Sequence, residues 1–228
     1  LFHLSLQTAP LPTDFVQLDI KVKGLRGGHS GVDIHLGRGN AIKILTRLLL
    51  DSLYTSGGHL VQIRGGNMRN AIPREATGQV AIPKSEVENF TKKIENQSRV
   101  ICKELGEKEP KLSIIVNQSD KTENLYLVES KAGLFALDIC SNGVIGFSHE
   151  MPDLVETSTN LGIVDTTWRD SKQTSQSSSQ TLAQISVHCL LRSLTNSCIH
   201  NLTRQMQETF ELAGFKSEVS GSYSGWTP

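Results

Sequence analysis

The chain predicts an α+β fold. It is an antiparallel sheet with helices on one face, made of two ferredoxin-like (split βαβ) half-units in tandem over residues 1–120 and 121–228. Three observations predict it. Between residues 16 and 117 the apolar spacing alternates between strand and helix periods in the order β-α-β-β-α-β, that of the split βαβ unit. After residue 121 the same order returns without its opening strand. The strands mix apolar and polar positions, which leaves one sheet face for the helices and the other free.

Residues 1–15, with Pro10 and Pro12, read as an entry linker. Val16, Leu18, Ile20 and Val22 then alternate with Gln17, Asp19, Lys21 and Lys23, as in a half-buried strand. Ala41, Leu45, Leu48 and Leu49 predict a helix over 39–54, ended by Gly57-Gly58. Strands follow over 60–64 and 76–82. Ser85 and Glu88 have capping-box spacing. Val87, Phe90, Ile94, Ile101 and Leu105 mark one face of a long helix to about residue 106, before a strand over 111–117.

The second unit opens with a predicted helix over 122–139. Strands are expected over 155–163 and 182–192, then a helix carrying Ile199, Leu202, Met206, Phe210 and Ala213. Gly214 stops it, and a strand over 216–220 follows. The Ser-, Gln- and Thr-rich stretch 171–181 reads as a mobile hairpin loop.

The least ordinary stretch is 24–40, with six glycines, two histidines, two arginines and an aspartate between a strand and a helix. Glycine loses more backbone entropy on folding than any other residue. Such density therefore implies tight turning or close approach to another group. Two readings are open: a plain β-to-α connection with a surface histidine, or a loop that frees His29 to reach a ligand.

Composition narrows the function classes. Hydrophobic residues make up 37% and charged residues 20%, and 23 basic residues balance 23 acidic ones, as in a soluble globular protein. No long basic run suggests nucleic acid or an anionic membrane. No apolar run approaches the roughly 20 residues needed to span a bilayer. Cys102, Cys140, Cys189 and Cys198 are scattered, which argues against a zinc ribbon and for a reducing, cytoplasmic compartment. The start at Leu1 and the end at Gly225-Trp226-Thr227-Pro228 read as a piece of a longer protein.

Strand parity picks out Arg192. It continues the polar series Gln184, Ser186, His188, at a strand end and away from the helices. A guanidinium there grips a carboxylate with two parallel hydrogen bonds, or is simply solvated. Asn70, in a loop before Ala71-Ile72-Pro73, is a local turn residue or an amide donor to a developing oxyanion. His35 and His59 read as loop or surface histidines, and His3, His149, His188 and His200 lack metal-ligand spacing. No metalloprotease, nucleophile-elbow or phosphate-loop motif is present, so no metal site is predicted in this chain.

Five stretches together resemble the bacterial aminoacyl-histidine dipeptidases, carnosinase-like members of the di-zinc metallopeptidases. They are Gly24–Asn40 with Ala41; Gly65-Gly66 through Asn70-Ala71-Ile72-Pro73-Arg74-Glu75; Val155-Glu156-Thr157-Ser158 with Asn160-Leu161-Gly162; Arg192-Ser193 with Ser197; and 223–228. The resemblance implies the lid, or dimerisation, domain of such an enzyme. The two zinc ions and the Glu base would belong to a catalytic domain outside this chain, and this piece alone would be inactive. It implies a dipeptide substrate such as β-Ala-His, the chain's own catalytic domain and a second copy as partners. It also implies roles: His29 donating to the oxyanion, Asn70 at the substrate and Arg192 on the terminal carboxylate. The rivals are the lid of a related deacylase or carboxypeptidase, and a purely structural dimerisation module.

Overall fold

The computed structural model describes residues 1–120, 124–169 and 182–221. Segment 171–181, expected as a hairpin loop, and the stretch 223–228 lie outside the described residues. In chain order the first elements are β1 (Phe2–Pro10), β2 (Phe15–Lys23), β3 (Gly28–His29), α1 (Ala41–Ser52), β4 (His59–Gly65) and β5 (Ala71–Ile72). Next come β6 (Ala76–Pro83), α2 (Val87–Leu105), β7 (Ser113–Gln118), β8 (Leu125–Leu127) and α3 (Lys131–Ile139). β9 (Gly143–Phe147), β10 (Val155–Arg169), β11 (Leu182–Ser193), α4 (Asn196–Leu212) and β12 (Lys216–Ser217) complete the series.

The expected α+β class and antiparallel sheet are what the structure has. The main path of the sheet runs β12-β1-β11-β10-β4-β6-β2-β7, with β8 on β1 and β9 on β10. The helices bury their apolar stripes against it in one core. Leu45 and Leu48 of α1, Phe90 of α2, Leu137 of α3 and Phe210 of α4 share that cluster with Ile20, Val80 and Val187.

Strand order explains the missing opening strand of the second unit. The path β7-β2-β6-β4 is the split βαβ order, fourth-first-third-second. The path β12-β1-β11-β10 repeats it, with β1 in the place of the first strand. Residues 1–15 are therefore not a linker. Phe2, Leu4 and Leu6 are buried while Ser5 and Gln7 are exposed, and β1 pairs with β11 from Phe2↔Val187 to Gln7↔Leu182. Pro10 closes the strand and so removes no donor from its interior.

Two further expectations are corrected. The helix predicted over 122–139 is β8 followed by α3: Leu127 is buried and pairs with Thr8, and Glu129 adopts a left-handed φ of 55° that separates the two elements. The capping box at Ser85 and Glu88 does not form. A 3-10 turn over Lys84–Glu86 places Ser85 inside the turn, and α2 has no side-chain cap.

The half-units join edge to edge between β4 and β10, at Gly65↔Val164 and Arg64↔Asp165. The buried Thr166 hydroxyl accepts from the Ile63 N–H and donates to the Ile63 carbonyl, each at 3.0 Å. The exposed Arg64–Asp165 ion pair at 3.0 Å lies beside it.

Lys43 of α1 reaches the end of α3, where its ammonium donates to the carbonyls of Leu137 and Cys140, both at 2.9 Å. A cation at a helix C-terminus is favourable. Burial pushes the neighbouring Cys140 thiol up to about 11 despite that cation. A thiol needs its thiolate form to react. At neutral pH iodoacetamide is therefore expected to label the exposed Cys102 well before Cys140, read by peptide mass spectrometry. Early labelling of Cys140 would show that the α1–α3 contact opens readily.

Candidate functional site

The site forms where a two-stranded ribbon, β3 with β5, lies over β10. The ribbon registers Gly28↔Ile72 and His29↔Ala71 and is extended by the Ser30 N–H donating to the Asn70 carbonyl at 2.8 Å. It puts His29 beside the turn that carries Asn70.

The glycines are sterically required. Gly28 has φ +143°, and a methyl group on it would lie 2.6 Å from both the Asp33 carboxylate and the Arg38 guanidinium. Those side chains brace the loop. Asp33 accepts the His29 N–H at 2.9 Å, Arg38 donates to the Gly27 carbonyl, and the two charges sit 3.8 Å apart. Glu109 ties both ends of the loop: its buried carboxylate accepts from Arg26 N–H at 2.7 Å and Gly39 N–H at 2.9 Å. A buried carboxylate is tolerated when backbone donors satisfy it in this way. Asn40 caps α1 through the N–H groups of Ile42 and Lys43 and donates to the Leu161 carbonyl on β10 at 2.9 Å.

The His29 ring is oriented by its own loop. Its Nδ1 accepts from the N–H groups of Gly31 and Val32, both at 3.2 Å. A neutral imidazole whose Nδ1 is an acceptor carries its proton on Nε2. The exposed Nε2–H is therefore a fixed donor that the loop itself does not use.

Arg192 lies on the helix-free face near the end of β11, as strand parity predicts, opposite Ser158 of β10. A methyl group on Gly31 would lie 3.1 Å from His29 Cε1 and 3.3 Å from both Cζ and Nε of Arg192. The imidazole and the guanidinium thus converge over one bare α-carbon, although they come from different half-units. Among the described residues, neither the Arg192 guanidinium nor the Asn70 amide has a hydrogen-bond or ion-pair partner. His29 and Asn70 line a groove of about 890 Å³ that also touches Met68, Arg74 and Glu75. Arg192 is not among its lining residues; it stands across Gly31.

Two residues of the site were given no role in the sequence reading. Glu109 looks like one more charge in a solvated turn, and Asn160 like a polar residue in a strand. Asn160 is 1% exposed, and its Nδ2 donates to the carbonyls of Arg69 at 3.0 Å and Ala71 at 2.8 Å.

The assembled groups are donors and one cation, suited to a carbonyl oxygen and a carboxylate. Among the described residues no group of three or more His, Cys, Asp or Glu is placed to hold a metal ion. These donors and one cation do not make a metal's ligand set.

Residues 20–109 match the family described as "Peptidase dimerisation domain". The chain is similar to the cytosol non-specific dipeptidase of Escherichia coli (strain K12), 32% identical over 227 residues, covering 99% of this chain and 44% of the relative. It is also similar to the crystal structure of aminoacylhistidine dipeptidase from Vibrio alginolyticus. That match has a TM-score of 0.84 at 32% identity and covers 100% of this chain and 44% of that one. The chain thus spans less than half the length of either relative.

Proposed function

We propose that this chain, which carries a peptidase dimerisation domain over residues 20–109, is the lid of a zinc-dependent dipeptidase acting on Xaa-His dipeptides such as β-Ala-His. The observation that carries the reading is the convergence of His29 and Arg192 over Gly31. In a dipeptide the scissile carbonyl and the terminal carboxylate are one residue apart. A carbonyl-oxygen donor and a carboxylate clamp that share one α-carbon's width suit that short spacing.

On this reading His29 Nε2–H donates to the oxygen of the scissile carbonyl, where negative charge develops. Arg192 holds the carboxylate through two parallel bonds. Asn70 donates its amide beside them from the groove. Zinc would lower the pKa of a bound water and polarise the carbonyl, from a catalytic domain outside this chain. The chain's own share is to bind, orient and exclude water when the lid closes. The homodimer is part of the proposal, supported by the dimerisation-domain match. A cytoplasmic location is supported by the similarity to the cytosol non-specific dipeptidase of Escherichia coli. No helix among the described residues is long and apolar enough to cross a membrane.

The test is zinc-dependent release of histidine from β-Ala-His by the intact parent protein, run beside a panel of dipeptides and N-acyl amino acids. Preference for N-acyl amino acids would make it the lid of a deacylase or carboxypeptidase instead. No hydrolysis would leave a structural dimerisation module. In the same assay Arg192→Lys is expected to raise KM more than it lowers kcat. Lysine keeps the charge and loses the fork, and the carboxylate is present in ground and transition states alike. An unchanged KM for free-carboxylate dipeptides would remove Arg192 from the site.

A further inference from the structure

We infer that Asn160 is a positioning residue that fixes the His29–Asn70 ribbon relative to Arg192; the inference rests on the dipeptidase reading. Three observations carry it. First, Asn160 Nδ2 donates to the carbonyls of Arg69 and Ala71, the residues on either side of Asn70. One amide thereby holds the Asn70 turn from both sides.

Second, the two ends of this link belong to different half-units. The carbonyls lie in the turn after β4, and Asn160 lies on β10. Ser158 and Asn160 share the helix-free face of β10, and Ser158 registers with Arg192 on β11. The β10–β11 pair therefore holds the carboxylate clamp and the ribbon anchor two residues apart. The anchor links the two half-units' contributions to the site into one set.

Third, Asn160 is retained at a local cost. Its side chain is 1% exposed, and its Oδ1 has no hydrogen-bond partner among the described residues. A buried acceptor left unpaired is unfavourable, and an apolar residue of similar size would avoid it. Such a residue would also strand the two carbonyls that Nδ2 now satisfies. The asparagine is accounted for by its two donors, and both point at the Asn70 turn.

The experiment is a double-mutant cycle in the intact parent enzyme. Asn160→Asp has the same shape but turns acceptors toward two carbonyls, so the ribbon shifts. Asn160→Gln keeps both donors one methylene further out. For either variant kcat with β-Ala-His is expected to fall by about 100-fold, the scale of a 1 Å misplacement. KM is expected to move far less. Measured as kcat/KM, the Asn160→Asp loss should shrink when combined with Arg192→Lys, because the placement it disturbs matters most while the fork holds the carboxylate. Hydrogen exchange should quicken at the Ser30 and Ala71 amides and stay unchanged in the β2–β6 pairing. A purely structural role would lower the melting temperature while leaving kcat of the folded enzyme intact, with additive losses in the cycle; that outcome overturns the inference. If Asn160→Asp fails to fold, Asn160→Gln carries the same test. A wild-type parent that hydrolyses no dipeptide sinks the dipeptidase reading and this inference with it. An active parent indifferent to Asn160 sinks the inference alone.

Discussion

His29→Ala in the intact parent enzyme is expected to lower kcat by roughly 100- to 1,000-fold, the usual loss for one oxyanion donor. The expectation follows from the ring's surroundings. Nδ1 is occupied by the Gly31 and Val32 N–H groups, which leaves Nε2–H as the outward donor. Its orientation is set before any substrate arrives, so little reorganisation is needed as charge develops on the carbonyl oxygen. Fold and metal content should be unchanged. His29 is exposed, and the two amides it releases are exposed as well, so water replaces the ring as acceptor. Steady-state kinetics with β-Ala-His, metal analysis and a melting curve check all three points. Near-normal turnover would reduce the glycine loop to a connection. Mixing the variant with a subunit inactivated in its catalytic domain adds a second result. Restored activity in the mixed dimer places His29 over the partner's reaction centre. A large loss without rescue places it over its own chain's.

Most of this architecture was legible because it is local. Strand parity alone set Arg192 on the face away from the helices, since Ala183, Ile185 and Val187 mark the buried side. The glycine density around His29 announced a close-packed loop, and the steric limits at Gly28 bear that out. What escaped is long-range. Glu109 meets Arg26 across 83 residues, and Asn160 meets Arg69 across 91. No periodicity encodes such partners. The strand β1 was hidden differently. Its alternation of Phe2, Leu4 and Leu6 is an ordinary period of two, but Pro10 and Pro12 drew the reading toward a linker. Its partners β11 and β12 lie at the far end of the chain. The helix predicted over 122–139 failed at its start because Leu125 and Val128 have helical spacing, while Leu125 and Leu127 alternate equally well as a short strand, a known ambiguity of brief apolar runs.

The convergence of His29 and Arg192 depends on how closely the two half-units approach, and Gly66→Ala tests that approach. Gly66 has φ +65°, and a methyl group on it would lie 1.9 Å from the Gly162 carbonyl oxygen. Gly162 sits at the register shift of β10 between Leu161 and Ile163. In turn, a methyl group on Gly162 would lie 2.8 Å from the Arg69 backbone. Bare backbone therefore packs on bare backbone beneath the Asn70 turn. Alanine at Gly66 incurs the left-handed penalty of roughly 1–2 kcal/mol. It adds an overpacking cost of about 1–3 kcal/mol, because a backbone carbonyl cannot swing aside as a side chain can. Gly57→Ala isolates the first contribution. Gly57 has nearly the same φ, +64°, but its nearest neighbour would be Pro83 Cγ at 3.8 Å. Urea unfolding is thus expected to give Gly57→Ala the conformational penalty alone and Gly66→Ala the sum of both. The folded fraction of Gly66→Ala should also lose turnover, because the Asn70 turn is pushed off β10. Equal destabilisation by the two substitutions would mean that the half-units are not held in backbone contact here. The spacing of His29 from Arg192 would then have to be set elsewhere, with Asn160 as the remaining link.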